Sequence, residues 1–194
     1  MRPSGAEGEG TGGAMDDIAD GIAWIVRQRV AVINVSLVGP RNIMLENVVR
    51  LATARGHLIV AAVGNDGPAA PPLYPASYPD VIGVTAVDAQ QHVLLEACRG
   101  RQVAFAAPGA DMAAAVMARA YAPVRGTSFA SPIVASLLAA RLPEPNRSAA
   151  ANAVSDLARQ ALDLGVKGVD EVYGNGLVGS NFRADPALAG PVGK

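Results

Sequence analysis

The sequence predicts an α/β fold built on a mainly parallel sheet. Two apolar runs, 31–36 and 58–63, have the length and composition of buried strands. Between them, apolar residues recur at helical spacing and stop before Gly56, a residue typical of helix ends. A strand, a helix and a strand in this order place the two strands parallel, with a ligand cleft beyond their carboxyl ends.

The other elements follow in chain order. Helical spacing predicts a first helix that ends near Arg29, and its apolar positions are Met15, Ile18, Ala19, Ile22 and Val26. Strands are predicted at 81–87 and 103–106. A largely apolar helix then runs from the Gly126 turn to about Leu142. A last helix begins near Ser148, with one face formed by Val154, Leu157, Ala161 and Leu162.

Composition predicts one partial domain over residues 14–183. Residues 1–13 are rich in glycine and polar side chains, which predicts a flexible leader, and the Pro- and Gly-containing stretch 184–194 predicts a frayed tail. Only 17% of the residues are charged and 51% are hydrophobic. This is the composition of the interior of a larger domain, so we expect another segment to cover part of its surface.

Charge and cysteine content exclude several classes of partner and site. The net charge is −1 and no run of Lys or Arg is present, which argues against nucleic acid and anionic membranes as partners. No segment reaches the roughly 18 apolar residues of a membrane span, and the first residues lack the apolar core of a signal peptide. Cys98 is the single cysteine, which excludes an internal disulfide and leaves the compartment unknown.

The clearest chemical signal is the stretch Gly126-Thr127-Ser128-Phe129-Ala130-Ser131-Pro132, a polar turn that opens into the apolar helix. Thr127 is suited to cap this helix, and we expect Pro132 in the first turn, where its missing N–H matters little. Ser128 would then lie at the positive end of the helix dipole, which stabilises negative charge. From the turn alone, Ser128 is either a nucleophile or only a part of the helix cap.

In its order of residues, Gly126–Pro132 resembles the nucleophile segment of the subtilisin-like serine proteases, the subtilases. Further stretches resemble this family in the same chain order: Val32–Leu37, Ala61–Gly67, Tyr74–Pro79, Ala106–Gly109 and Tyr173–Leu177. The resemblance implies a three-layer subtilisin-like fold whose N-terminal part is missing. It also implies a serine endopeptidase that hydrolyses peptide or protein substrates through an acyl-enzyme.

The resemblance also implies roles for individual residues. Ser128 would be the nucleophile, and Asn65 would donate its side-chain N–H to the oxyanion together with the backbone N–H of Ser128. Without the family, a turn residue is the simpler interpretation of Asn65. Substrate-binding positions implied by the resemblance are Ser36, Leu37, Val38, Gly39, Ala62, Val63, Gly64 and Thr127. Many family members carry glycine where Val38 stands, so we expect a different shape at that subsite.

The chain lacks the family's segments that hold the catalytic Asp and His, which precede everything matched here. His57 precedes a buried strand at the end opposite the cleft, and His92 lies in a loop, so we interpret both as structural or surface residues. A serine hydroxyl without a base is a poor nucleophile. We therefore expect this chain alone to be inactive, and a missing N-terminal segment of the same domain to supply the base.

Two other functions remain open from the sequence. A non-catalytic subtilase-like module would bind peptides along Leu37–Gly39, although it would need neither Ser128 nor Asn65. A sedolisin-like enzyme is disfavoured, because Asn65 stands where that group is expected to carry an acid. The sequence has no side-chain cluster with metal-ligand spacing, and the family resemblance alone suggests calcium, held by backbone carbonyls in the loop 76–81.

Overall fold

The computed structural model describes residues 10–116 and 120–185. Its elements in chain order are α1 (Gly10–Arg27), β1 (Val32–Val35), α2 (Ile43–Ala54), β2 (Leu58–Ala62), β3 (Val81–Val87), β4 (Val103–Pro108), β5 (Met112–Val116), β6 (Ala120–Val124), α3 (Thr127–Ala139), α4 (Arg147–Gln160) and a 3₁₀ turn (Ser180–Phe182). The four buried strands and four helices that the apolar periodicity predicts are all present.

Strands β1 to β4 form one parallel sheet in chain order. Val35 pairs with Ala61 and Ala62 pairs with Val84, so the strands end at about the same level. The carboxyl ends of the four strands therefore lie along one edge of the sheet, and the loops that follow them meet there. This confirms the parallel sheet that the sequence predicts.

Helices cover both faces of the sheet, which makes the fold three-layered. Strand β2 shows the layering: Ile59 and Ala61 belong to the core cluster shared with α1 and α2, whereas Val60 belongs to the cluster shared with α3 and α4. All five β2 residues are buried, as expected for a strand covered on both sides. The predicted three-layer architecture is confirmed.

The segment that closes the sheet runs beside the outer edge of β4. Asn175 N donates to the carbonyl of Ala104 at 2.8 Å, and the amide of Ala106 donates to the carbonyl of Gly176 at 3.0 Å. Leu177 pairs in parallel with Ala106. The closing stretch therefore adds a short fifth line of backbone pairing to the sheet.

Helical structure starts before residue 14, the predicted start of the domain, whereas the predicted tail is described only to residue 185. Helix α1 begins at Gly10, so Gly10 to Gly13 belong to a helix and not to a flexible leader. Extending an existing helix adds one hydrogen bond per residue, which is easier than nucleating one, so the packed turns from Met15 onward support the glycine-rich turn before them. Ala184, the first residue of the predicted tail, accepts a hydrogen bond from Ala113 N at 2.8 Å. Residues 1–9 and 186–194 lie outside the described residues.

Smaller predictions about the helices were also wrong. Helix α3 ends at Ala139 and not near Leu142, whose side chain is nevertheless buried. Leu162 lies beyond the end of α4 and is 51% exposed, and its backbone pairs with Leu177. The buried face of α4 is formed by Ala150, Ala153 and Leu157.

The antiparallel hairpin β5–β6 was missed. Met112 pairs with Val124 and Val116 with Ala120. Its strands are rich in alanine and include Pro123, and both residue types are depleted in strands. Pairing between the two strands decides this structure, and the hairpin leads directly into the Gly126 turn.

Gly109 offers a test of how closely β4 approaches that turn. An ideal Cβ at Gly109 would lie 2.5 Å from the Cβ of Ala86 and 2.7 Å from the carbonyl oxygen of Gly126, whereas a Cβ at Gly21 would have no neighbour within 4 Å. We expect Gly109→Ala to lower the free energy of unfolding by about 1–3 kcal/mol, because backbone must move. The control Gly21→Ala should raise it by about 0.5–1 kcal/mol. Equal unfolding midpoints in denaturant for Gly109→Ala and the wild type would contradict the close approach.

Candidate active site

Three chain segments meet at the carboxyl edge of the sheet: the exit of β1, the exit of β2 and the start of α3. Ser36, directly after β1, contacts Ser128 through two hydrogen bonds. Asn65, after β2, bonds to the backbone of Thr127. The structure thus brings together side chains that are separated by 62 to 92 positions in the sequence.

The start of α3 places Ser128 at the positive end of a helix. Gly126 is the N-cap with φ 136° and ψ 162°, a conformation that residues with a Cβ rarely adopt. Ser128 is the second helical residue and is half-buried. Backbone N–H groups in the first turn of a helix have no acceptor within that helix, so this position suits a developing negative charge.

Asn65 caps α3 from another part of the chain. Its Oδ1 accepts a hydrogen bond from Thr127 N at 3.0 Å, while Gly126 has no side chain with which to cap. This bond fixes the orientation of the amide, with its oxygen toward the helix. Its Nδ2 has no acceptor among the described residues, and the residue is exposed. The side chain therefore reaches across to α3 instead of closing its own turn.

Thr127 does not cap its own helix, contrary to the prediction. It is the first helical residue and is fully buried, and its Oγ1 accepts a hydrogen bond from Gly64 N at 3.3 Å. Gly126 takes the N-cap position, so the Thr127 hydroxyl instead binds the backbone at the exit of β2. The exit of β2 and the start of α3 are therefore joined twice: the Asn65 side chain binds the backbone of α3, and the Thr127 side chain binds the backbone after β2.

Pro132 lies in the second turn of α3, as its sixth residue, and not in the first turn as predicted. Because proline has no N–H, the carbonyl of Ser128 loses its helical donor. The Ser36 hydroxyl replaces it by donating to that carbonyl at 3.1 Å. A hydroxyl has one proton, so Ser36 accepts from Asn34 Nδ2 at 2.9 Å and from the Ser131 hydroxyl at 2.9 Å. The predicted substrate residue Ser36 thus holds the backbone of Ser128 against β1.

In the predicted substrate edge, Leu37 to Gly39, the first two residues are accessible to a peptide, whereas the backbone of Gly39 is already hydrogen-bonded within the protein. The side chains of Leu37 and Val38 are exposed, and the backbone N–H and C=O of Val38 have no partner among the described residues. Gly39 instead exchanges two backbone hydrogen bonds of 2.9 Å with Tyr74. A Cβ on Gly39 would lie 1.8 Å from Met15 Cε, so this edge packs tightly on α1.

Asn42 and Tyr78 hold the loop after the edge in place. The amide of Asn42 donates to the Tyr78 hydroxyl at 2.9 Å, and that hydroxyl donates to the carbonyl of Asn42 at 2.8 Å. Asn42 Nδ2 also donates to Asp16 at 3.1 Å. Burial raises the pKa of Tyr78, so the phenol keeps its proton and remains a donor at neutral pH.

The predicted pocket residues Ala62, Val63 and Gly64 are all buried. The amide and carbonyl of Gly64 are bonded to Thr127 Oγ1 and to Cys98 N. A Cβ on Gly64 would lie 3.2 Å from Cys98 Sγ, so the cysteine packs beneath the Asn65 loop. Burial raises the pKa of the Cys98 thiol, which stays neutral there.

Neither histidine contacts Ser128. His57 is buried at the amino end of β2, and its Nδ1 lies 2.7 Å from the carbonyl of Val30. His92 is exposed, and its ring lies 3.7 Å from Asp88. In the described part of the chain, the Ser128 hydroxyl bonds to the carbonyl of Ser36 at 3.3 Å, with no imidazole beside it.

Glu96 and Arg125 form an ion pair next to the site that sequence reasoning missed. Arg125 donates from Nε and Nη2 to the two carboxylate oxygens of Glu96, at 2.6 and 2.9 Å. The hydrogen bond from Arg125 holds the pKa of Glu96 below its ordinary value, and the carboxylate raises the pKa of Arg125. The partners are 29 positions apart, and no motif signals their pairing.

The described residues, 10–116 and 120–185, contain neither a side-chain metal site nor a membrane-spanning helix. This part of the chain contains no group of three His, Cys, Asp or Glu side chains able to hold a metal ion. In the loop 76–81, the single carboxylate is the exposed Asp80, so calcium there would need mainly backbone carbonyls, and it stays a prediction. No helix in these ranges is both long and apolar enough to cross a membrane.

A model of the Subtilase family matches residues 3–176. The chain is 31% identical over 179 residues to the minor extracellular protease Epr of Bacillus subtilis (strain 168), covering 91% of this chain and 28% of Epr. It is 35% identical over 176 residues to subtilisin Savinase of Lederbergia lenta, covering 90% of this chain and 62% of Savinase.

Solved structures show the same similarity. The prenylagaramide maturation protease PagA superposes with a TM-score of 0.73 at 25% identity, covering 86% of this chain and 65% of PagA. The S41 psychrophilic protease gives a TM-score of 0.73 at 28% identity, covering 84% of this chain and 63% of that protease. The chain thus spans less than two thirds of the length of each of these relatives.

Asn65 is predicted to stabilise α3 through its oxygen alone. Asn65→Ala removes the acceptor for Thr127 N and should lower the free energy of unfolding by about 1 kcal/mol. Asn65→Asp keeps an acceptor and adds a charge that the helix N-terminus favours, so its stability should equal or exceed that of the wild type. Denaturant unfolding of both variants measures this, and an equal loss in the two would contradict capping through Oδ1.

The Glu96–Arg125 pair should stabilise the fold at neutral pH and lose this effect in acid. Because the pKa of Glu96 is lowered by folding, its stabilisation is complete above 4.5, the ordinary pKa, and is lost as the pH falls through the lower folded value. Asp88 and Asp111 also interact with Arg125, so the change due to Glu96 is isolated by subtracting Glu96→Gln. We expect a difference in unfolding free energy below about 1 kcal/mol at pH 7, because both side chains are partly exposed. A difference that does not shrink as the pH falls below 4.5 would refute this.

Proposed function

The chain belongs to the subtilase family, and from that premise we propose that it forms the C-terminal part of a serine endopeptidase domain, with Ser128 as the nucleophile. The observation that carries the proposal is the junction of Asn65 and α3. There, Thr127 N donates a hydrogen bond to Asn65 and orients its side-chain amide. Ser128 follows Thr127 at the N-terminus of α3. A donor and a nucleophile held together in this way suit acyl transfer.

In the proposed reaction, Ser128 Oγ attacks the carbonyl carbon of a peptide bond and forms a tetrahedral intermediate. The negative charge on the former carbonyl oxygen is stabilised by the backbone N–H of Ser128 and by Asn65 Nδ2, which has no other acceptor among the described residues. The intermediate collapses to an ester on Ser128 as the amine leaves, and water then releases the acid. Both transfers need a base that accepts the proton from the attacking hydroxyl, of Ser128 or of water, and returns it to the leaving group, the amine or Ser128 Oγ.

An extended peptide is the proposed substrate, bound as an added strand along Leu37 and Val38. The unpartnered backbone groups of Val38 provide one donor and one acceptor for such pairing. Ala62, Val63, Gly64 and Thr127 would shape the adjacent side-chain pocket with backbone that is already bonded within the protein. Ser36 would act through Ser128, whose carbonyl it holds.

The missing Asp and His are proposed to arrive with an N-terminal segment that pairs with the open edge of β1. In the described sheet β1 pairs only with β2. A groove of about 240 Å³ runs between this edge and α3, lined by Val32, Asn34, Pro132, Ala135, Ser136 and Ala139. Because Ser36 at the end of β1 contacts Ser128, a strand added beside β1 would end close to the nucleophile.

A peptide-binding module without catalysis is the second candidate. It is favoured by one observation: the Ser128 hydroxyl donates to the carbonyl of Ser36 and so has no base as its acceptor. In that case the Leu37–Val38 edge would bind peptides without hydrolysing them.

A chimera and a reactive-serine probe separate the two functions. The N-terminal part of subtilisin Savinase would be fused to residues 10–194, and both the chimera and this chain alone would be treated with a fluorophosphonate. We expect labelling at Ser128 only in the chimera, lost in Ser128→Ala and retained in the control Ser155→Ala, an exposed serine of α4 outside the groove. In the chimera, Asn65→Asp should slow peptide hydrolysis by the roughly 10²–10³-fold that removal of this donor causes in a subtilisin.

Two outcomes would overturn the proposal. Labelling of the chain alone would mean that Ser128 needs no supplied base. A chimera that unfolds cooperatively, binds peptides and yet leaves Ser128 unlabelled would favour the binding module.

A further inference from the structure

A third segment, Glu96 to Cys98, is bonded to both ends of the Asn65 loop. Gly67 N donates to the carbonyl of Glu96 at 2.8 Å, and Cys98 N donates to the carbonyl of Gly64 at 3.0 Å. The two bonds span Asn65, which lies between Gly64 and Gly67. The position of the loop therefore depends on the position of this segment.

The Glu96 side chain holds the second half of the site. Its two carboxylate oxygens accept from Nε and Nη2 of Arg125 at 2.6 and 2.9 Å, the parallel two-bond geometry that arginine forms with carboxylates. Arg125 directly precedes Gly126, the N-cap of α3. One residue thus holds the Asn65 loop through its backbone and the nucleophile turn through its carboxylate.

We propose that Glu96 is a positioning residue, and that its paired hydrogen bonds to Arg125 set the placement of Asn65 relative to Ser128. The proposal rests on the function proposed above, in which these two residues stabilise the oxyanion. The Glu96 carboxylate and the Arg125 guanidinium position the two segments and take no part in proton transfer.

The Glu96–Arg125 pair is called the clamp below. The need for it follows from the backbone of the two segments that it joins. The Asn65 loop is bounded by Gly64 (φ 105°) and Gly67 (φ 97°), and the nucleophile turn by Gly126 (φ 136°). Glycines allow many backbone conformations, so neither segment is rigid by itself. An error of about 1 Å in the placement of a catalytic group can slow a reaction roughly 10²-fold.

An ordinary surface ion pair is the alternative. Glu96 and Arg125 are partly exposed, and such pairs contribute little to global stability. Global unfolding therefore cannot separate a clamp from a surface pair. The separating measurement is local, at the hydrogen bond between Thr127 N and Asn65 Oδ1, which joins the two halves that the clamp would hold together.

Hydrogen exchange of the Thr127 amide, followed by NMR on this chain, tests the proposal. We expect Glu96→Gln and Arg125→Gln to accelerate exchange at Thr127 roughly fivefold through local opening. The matched control is Glu171→Gln, which removes the exposed ion pair with Arg101 and should leave Thr127 unchanged. Arg125→Lys keeps the charge but loses the fork, so it should behave as Arg125→Gln does.

Three results would overturn the clamp: unchanged exchange at Thr127 in Glu96→Gln, equal acceleration in Glu171→Gln, or wild-type exchange in Arg125→Lys. This readout needs neither base nor substrate, so it stands or fails separately from the protease proposal. In a chimera that is active, Glu96→Gln should lower kcat with KM unchanged, because the displaced donor acts only in the transition state.

Discussion

The candidate site depends on a hydrogen bond between two distant segments, from Thr127 N to Asn65 Oδ1. Helix α3 begins at a glycine that cannot cap it, so its first N–H must be satisfied from elsewhere. Asn65 provides that acceptor and is itself oriented by it. The same bond therefore stabilises a buried helix and directs a pair of N–H donors away from it, beside Ser128. Fold stability and the proposed oxyanion chemistry share one side chain.

A second dependence concerns Pro132 and Ser36. Proline inside a helix leaves a carbonyl without a donor, and here that carbonyl belongs to Ser128. The hydroxyl of Ser36 satisfies it and ties α3 to the end of β1. A residue that disfavours the helix locally thus creates an attachment point for β1. Ser128, the proposed nucleophile, is held from the β1 side by Ser36 and from the β2 side through the bond between Asn65 and Thr127.

The site as described holds the residues proposed as donor, nucleophile and peptide-binding edge, but in the described part of the chain no imidazole lies beside Ser128. The open edge of β1 lies next to the same contacts that hold Ser128. The low proportion of charged side chains fits a domain whose sheet continues beyond this edge. In the proposed function, binding geometry and proton transfer are supplied by different parts of one domain. That division explains how nearly all of the proposed oxyanion site can be present in a chain that we expect to be inactive by itself.

The sequence alone determined β1 to β4 and the four helices, because periodicity and turn chemistry are local properties. Ser128 and Asn65 became candidates through the resemblance of their segments to those of the subtilases. Tertiary structure decided which groups meet. Asn65 reaches Thr127, Ser36 supplies the donor that Pro132 lacks, and Glu96 pairs with Arg125, across separations of 62, 92 and 29 residues. The hairpin β5–β6 likewise depends on pairing that its alanine-rich strands do not signal. Such contacts are set by how layers pack, and no local pattern encodes the partner of a side chain.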